Sequence, residues 1–321
     1  MAWCARRCVD ATGVAVTWEE IVAGSRAREQ SGLALPPPAR DRLVEVGRAL
    51  CAPLDGGGEN AGENPGRTLR QAFRVFAAAR TCRFGALRGR PAGDLLLIRP
   101  EPEPGGDAAG DAGREIPLDP AAARAFLEFS FGLAAARGRR RVTLVHRATR
   151  FPRTDGAWLD LALAAARAHP GLAVDTQLAP HVAMQLARSA RPFDVLIAAD
   201  PWGELLAETA TGAAGGLGMV AETLYGTRGE VFTCAHGTAS RHAGLDAANP
   251  VGMILAGAGL LRSLGAGPAA ASLESAVDRV VQEGLGTVDF TPFPRTPSAR
   301  GTLGVAEAVM ELVRRAPPDR A

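Results

Sequence analysis

The chain contains no lysine: all 36 of its permanently cationic side chains are arginine. Arginine stays protonated at any working pH, so chemistry resting on a lysine base is closed to this protein. Tyrosine is nearly absent as well, with Tyr225 the single example among 321 residues. No segment approaches the roughly 18 apolar residues that a membrane span needs, and the arginines near the start precede no uninterrupted apolar stretch of signal-peptide type. The formal charge of +2 is too small to gather nucleic acid or an anionic membrane, which leaves small-molecule or protein partners. Five cysteines (Cys4, Cys8, Cys51, Cys82 and Cys234) are odd in number and scattered, with no CxxC pair, so a reduced, cytoplasmic setting is expected. High Ala, Gly and Pro beside an arginine-only basic set resembles a GC-rich coding bias.

What is present is a 47% hydrophobic chain long enough for two domains. Apolar periodicity predicts helices over 41–50, 69–79, 120–137, 155–168, 203–210, 250–264, 272–283 and 304–314. Short apolar runs predict strands at 14–18, 94–98, 142–145 and 193–198. Residues 53–65 read as a loop, and 100–115, punctuated by Pro, Gly and Asp, as a flexible arm. Helices alternating with buried strands make the fold class α/β.

The string from His236 to Pro250 (His-Gly-Thr-Ala-Ser-Arg-His-Ala-Gly-Leu-Asp-Ala-Ala-Asn-Pro) combines glycines, small residues and an Asn-Pro stop suited to close backbone approach to a ligand. Other segments accompany it in order: Trp18-Glu19-Glu20-Ile21-Val22-Ala23-Gly24, Leu69-Arg70 with Arg80, Phe193-Asp194-Val195 leading to Gly203-Glu204-Leu205-Leu206-Ala207-Glu208, and Gly215-Gly216-Leu217-Gly218-Met219. Together these motifs resemble the isocitrate/3-isopropylmalate dehydrogenases, the β-decarboxylating dehydrogenase family, from Trp18 to about Arg314. The resemblance implies a two-domain α/β sandwich that is not a Rossmann fold, in keeping with the missing GxGxxG. It implies a discontinuous nucleotide-binding domain at 1–85 plus 216–321, and a substrate and dimerisation domain at 86–215. The family opens with a strand and a Gly-Asp-Gly-Ile-Gly loop that this chain lacks, so the first strand is expected to be missing or to lie upstream of Met1.

Family members oxidise a 2-hydroxy acid by hydride transfer to NAD(P), then release carbon dioxide while Mg²⁺ or Mn²⁺ holds the oxygens. By resemblance, Arg80, Arg99 and Arg90 (with Arg88 as the alternative) fall where arginines grip substrate carboxylates, a task that suits the planar guanidinium fork. The bland alternative is three solvated arginines among 36. Glu204 and Glu208 stand at two metal-aspartate positions, four apart on one helical face, but the third position is Pro180, which cannot ligate. The alternative for the pair is an exposed acidic face. Arg147 replaces the proton-transfer lysine, and no tyrosine lies in the arm where the proton donor belongs. His146, beside Arg147, is a substitute base or a structural histidine. In the nucleotide loop, His236, Gly237, Thr238, Ala239 and Asn249 match positions that hold adenine and ribose. Arg241 and His242 replace the aspartate of NAD users, and a cation there favours NADP over NAD. Thr233 and Ser240 depart from the usual glutamate and proline.

Two functions therefore compete. One is a divergent NAD(P)-dependent oxidoreductase acting on a hydroxy-diacid with impaired or altered catalysis, as a homodimer. The other is a non-catalytic or regulatory relative that keeps the fold and pockets, assembled with a catalytic subunit. The Arg137 to Arg141 run suggests nucleic acid only weakly, because cations suit a helix C-terminus.

Overall fold

A computed structural model of the chain describes residues 1–55, 64–84, 93–101, 119–188, 193–287, 289 and 300–315. In chain order the elements are α1 (Ala2–Asp10), α2 (Ser25–Ser31), α3 (Pro37–Val46), β1 (Arg48–Leu50), α4 (Pro65–Phe73), β2 (Val75–Phe84) and β3 (Gly93–Pro100). Next come α5 (Pro120–Ala136), β4 (Arg141–His146), α6 (Ala157–Ala166), β5 (Ala173–Leu178), α7 (Ala179–Arg188), β6 (Val195–Ala198) and α8 (Trp202–Ala213). The last are β7 (Ala221–Gly226), β8 (Gly229–Cys234), α9 (Val251–Ser263), α10 (Gly267–Gln282) and α11 (Thr302–Arg315). The chain divides into two compact units, one from the described residues of 1–75 and 214–321, the other from those of 76–84 and 91–213.

In the second unit the strands run in the order β2-β3-β6-β4-β5. β2 and β3 are antiparallel and the β3–β6, β6–β4 and β4–β5 pairs are parallel. Parallel strands carry helices on their faces and are therefore apolar throughout. Val195, Leu196, Ile197 and Ala198 of β6 are all fully buried. The expected helix over 69–79 ends instead at Phe73, because Arg74 takes a left-handed conformation (φ 50°) and its N–H turns back to the Arg70 and Gln71 carbonyls. The alanines that follow, Ala77 to Ala79, have strong helix propensity, yet they pair with Ile98 to Pro100 and are buried. Tertiary pairing overrides a local preference worth only tenths of a kcal/mol per residue.

In the first unit β8 lies between β1, parallel to it, and β7, antiparallel. α9 is its central helix, buried from Val251 to Ala258 and packed against α1, α10 and the β7–β8 hairpin. The helix expected over 41–50 stops at Gly47 (φ 73°), and Arg48 to Leu50 form β1 against Glu230 to Phe232. Residues 14–18, expected as a strand, join no ladder; Trp18 Nε1 donates to Asp10 Oδ1 at 2.7 Å. The arm at 100–115 lies almost wholly outside the described residues. Among the described residues no helix is long and apolar enough to cross a membrane.

Candidate active site

Two of the expected substrate arginines share one face of the second unit. Arg99 on β3 pairs in register with Ala78 on β2, two residues from Arg80. Side chains alternate along a strand, so Ala78, Arg80 and Arg99 point to the same side, with Arg80 and Arg99 as diagonal neighbours. α8 covers that face at close range. A Cβ at Gly203 would lie 2.7 Å from Arg99 Cβ and 2.8 Å from the Ala198 carbonyl, so glycine is required for the approach.

The same helix brings Glu208 to Arg80. Arg80 Nη1 donates to Glu208 Oε1 at 2.7 Å and to Thr211 Oγ1 at 3.0 Å. The Arg80 side chain is 6% exposed and that of Glu208 52% exposed. Arg99 Nη1 donates to Glu101 Oε1 at 2.5 Å, and both of these side chains are only 10% exposed. Asp200 accepts the Glu204 backbone N–H at the start of α8, and its Oδ1 is buried beside Gly203 with no hydrogen-bond partner. Burial pushes this carboxyl above the usual aspartate range, while the neighbouring Arg99 charge works in the opposite direction. Arg90 and Arg88 lie outside the described residues.

His146 and Arg147 close β4. His146 is buried, and burial pushes its pKa down against the opposing pull of Asp155. Its Nδ1 accepts the Ala148 N–H at 3.2 Å, which leaves the ring proton of the neutral histidine on Nε2. The Arg147 backbone N–H donates to Asp155 Oδ2 at 2.5 Å, and Trp202 Nε1 donates to the same oxygen at 2.8 Å. The Arg147 guanidinium lies 6.0 Å from the Trp202 ring centre, within cation–π range. Asp155 thus joins the end of β4 to the first residue of α8.

Glu204 and Glu208 do not fit a resident divalent ion. Both are exposed on α8, Glu208 is engaged with Arg80, and the remaining position is Pro180 on α7. Among the described residues no group of three or more His, Cys, Asp or Glu is arranged to hold a metal. Hard cations need several oxygens converging at one point, and this donor set supplies no such convergence.

In the first unit, the loop after β8 begins with His236, whose Nδ1 sits 2.7 Å from the Gly237 carbonyl, leaving Nε2 buried with no partner. Gly237 and Thr238 are exposed. Ala239 takes a left-handed φ of 51°, and a short 3₁₀ turn over Ser240–His242 holds Arg241 and His242 out in solvent. The loop's far end is pinned. Asp246 Oδ1 accepts the Leu303 N–H, the Asp246 carbonyl accepts that of Thr302, and Thr302 Oγ1 donates to the Ala248 carbonyl. Asn249 is buried; its Oδ1 accepts the Val251 N–H at 3.0 Å and its Nδ2 faces Met219 Sδ at 3.4 Å. Its side chain therefore satisfies the N–H of the first residue of α9. The 3₁₀ turn thus leaves Arg241 and His242 exposed to solvent, where an anionic group can reach them.

Several of these groups escaped sequence reasoning. Glu101, Asp200, Asp155 and Trp202 acquire their places only through pairing across elements. Glu101 alone left a trace, since Arg99-x-Glu101 in a strand puts opposite charges on one face. The Arg137 to Arg141 run also gains an account: Arg139 donates to Asp94 at 2.6 and 2.8 Å and to Asp194 at 3.0 Å, with its side chain 14% exposed. Arg139 thus ties together the starts of β3, β4 and β6, while Arg140 and Arg141 stay exposed.

Comparison with known proteins agrees with this architecture. Residues 112–304 match the family model for isocitrate/isopropylmalate dehydrogenase. An isocitrate/homoisocitrate dehydrogenase of Thermus thermophilus is 31% identical over 97% of this chain and 93% of its own length. The crystal structure of isocitrate dehydrogenase from Methylococcus capsulatus superposes with a TM-score of 0.85 at 30% identity, covering 98% of this chain and 95% of that one. Over a shorter stretch, 50% of this chain and 45% of the relative, a mitochondrial regulatory subunit of NAD isocitrate dehydrogenase from Dictyostelium discoideum is 32% identical.

Proposed function

Because the chain belongs to the isocitrate/isopropylmalate dehydrogenase family, we propose that it is a divergent NAD(P)-dependent oxidoreductase acting on a 2-hydroxy acid, with altered proton handling. The observation that carries this reading is the placing of Arg80 on the β2–β3 face beneath α8, buried and paired with a half-exposed Glu208 whose place an anionic ligand can take. The first unit is the nucleotide-binding domain, with His236, Gly237, Thr238 and Ala239 holding adenosine and Arg241 with His242 meeting a 2′-phosphate, so NADP is favoured over NAD. Asn249 serves that loop by fixing its exit. The second unit is the substrate and dimerisation domain of a cytoplasmic oligomer.

When bound, the nicotinamide supplies a hydride acceptor. Arg80 orients a substrate carboxylate. Arg147, permanently cationic and set over Trp202, stabilises negative charge on the substrate but cannot take its proton. His146, with its proton on Nε2, donates to a substrate oxygen, so the hydroxyl proton passes to water. Loss of general acid–base help costs about 10²–10⁴-fold per group, which makes turnover slow.

Fluorescence titration with NADPH and NADH tests the reading: saturable binding, tighter for NADPH and weakened by Arg241→Ala, is expected, and failure of both nucleotides to bind would overturn it. Arg147→Lys combined with Pro180→Asp should raise residual oxidation with Mn²⁺ present. A second reading, a regulatory subunit, is favoured by the Arg80–Glu208 ion pair, which occupies one anion seat with the chain's own carboxylate. Nucleotide binding with no turnover by either the native chain or the double variant would select it.

A further inference from the structure

A cavity of 230 Å³ lies in the first unit, lined by Arg40 and Asp41 of α3, Thr68, Gln71 and Ala72 of α4, and Arg228 of the turn between β7 and β8. At about 30 Å³ per water, it has room for a molecule that displaces about eight waters. α3 packs against α4, and Thr68, Gln71 and Ala72, spaced i, i+3 and i+4, share one face of α4. β8 is six residues long, which puts the Arg228 turn and the His236 loop about 17 Å apart at opposite ends of the strand.

The turn that delivers Arg228 is clamped on both sides. At the end of α4, the Thr227 N–H donates to the Arg74 carbonyl at 3.2 Å and the Arg228 N–H to the Phe73 carbonyl at 3.1 Å. At the end of α3, the Gly47 carbonyl accepts the Glu230 N–H at 3.0 Å. A Cβ at Gly226 would lie 2.1 Å from the Phe73 carbonyl oxygen, and one at Gly229 2.1 Å from that of Gly47, so glycine is required at both. The Arg228 backbone is thus fixed before any ligand arrives, which lowers the ordering cost of binding.

Arg40 and Arg228 bring two permanent positive charges from separate elements, and among the described residues Asp41 is the one carboxylate that lines the cavity. It holds Arg40 weakly. Arg40 Nε lies 3.4 Å from Asp41 Oδ1, with side chains 41% and 73% exposed, and so exposed a pair is readily exchanged for a ligand. The Thr68 hydroxyl donates to the Asn64 carbonyl at 3.2 Å, which leaves the recognition to the two guanidiniums.

We propose that the groove between α3 and α4 is a second anion site, separate from the nucleotide loop, that binds a small molecule carrying a phosphate group. A phosphate gathers up to two negative charges on one tetrahedral centre, and its oxygens accept from guanidiniums arriving from two directions. A carboxylate is planar and suits a single fork. The inference stands independently of the oxidoreductase reading above.

The test is isothermal titration of the full-length chain in phosphate-free buffer with glycerol 3-phosphate and with succinate. The native chain should bind glycerol 3-phosphate saturably and at least about tenfold more tightly than succinate. Arg228→Met and Arg40→Met should each weaken it by at least about tenfold, whereas Asp41→Asn, which removes the opposing charge, should strengthen it by about threefold. Arg241→Ala, at the nucleotide loop, should leave it within about threefold, and NADPH binding should be unaltered by Arg228→Met. All these side chains reach solvent, so the variants should keep the native circular dichroism spectrum. Absence of saturable binding, equal or tighter binding of succinate, or binding that neither arginine substitution weakens overturns the proposal. Loss of glycerol 3-phosphate binding in Arg241→Ala would also overturn it, by placing the phosphate at the nucleotide loop.

Discussion

Arg80 and Arg99 are buried and each donates to a carboxylate of its own chain, whereas Arg241 and His242 stand in solvent on a turn held mainly at its ends. The contrast follows from solvation. A guanidinium taken out of water needs an opposite charge at once, so residues on a sheet face under a helix are satisfied internally before any ligand arrives. A basic residue on an exposed turn needs no such partner and stays available to a phosphate. Two sets of residues that match ligand positions equally well in sequence are thus unequal in the folded molecule.

The contrast is sharpened most by breaking the buried pair. Arg99→Met should destabilise the chain by about 3–5 kcal/mol in urea unfolding, because it removes an ion-pair partner from a carboxylate whose side chain is only 10% exposed. The Arg99→Met, Glu101→Met double variant should recover most of that loss; equal losses in both would show that the pair does not govern this face. A smaller effect is expected in the loop. At Gly301 a Cβ would lie 1.9 Å from Asp246 Oδ2 and 2.8 Å from the Asp246 carbonyl, so Gly301→Ala must displace the residue that pins the loop. It should cost about 1–3 kcal/mol and weaken NADPH binding while acid binding at Arg80 persists. Loss of both ligands together would end the separation of the two regions.

The smallest effect concerns pH. Burial lowers the His146 pKa in the folded state below its unfolded value, so folding favours the neutral ring. That stabilisation is present above the unfolded pKa of about 6.5 and is lost as pH falls through the lower folded value. The unfolding midpoint should therefore drop between pH 7.5 and 5 for the native chain. In His146→Gln the drop should be smaller by an amount below about 1 kcal/mol, and an unchanged acid limb would place the pH dependence elsewhere.

Much of the architecture was legible because its signals are local. The apolar runs at 94–98, 142–145 and 193–198 fall in buried strands, and α5 begins at Pro120 as expected. The strands that escaped notice lack such runs. β5 is a sheet edge with no fully buried residue, so no apolar alternation announces it. β7 and β8 are short strands that each carry polar residues and meet at glycines, and their antiparallel pairing makes them a hairpin. At the candidate site, residue types could be named in advance but their engagement could not. Arg80 and Glu208 are 128 residues apart, and only the packing of α8 over the face that β2 shares with β3 joins them.

Sequence by itself determined the chemical inventory. It contains no lysine, one tyrosine, and a glycine-bearing string of small residues from His236 to Pro250. Those are properties of composition and short-range order. Tertiary structure decided which charges remain available. Ion pairing depends on burial and on distances of a few ångströms, and both are fixed only when a helix closes over a sheet.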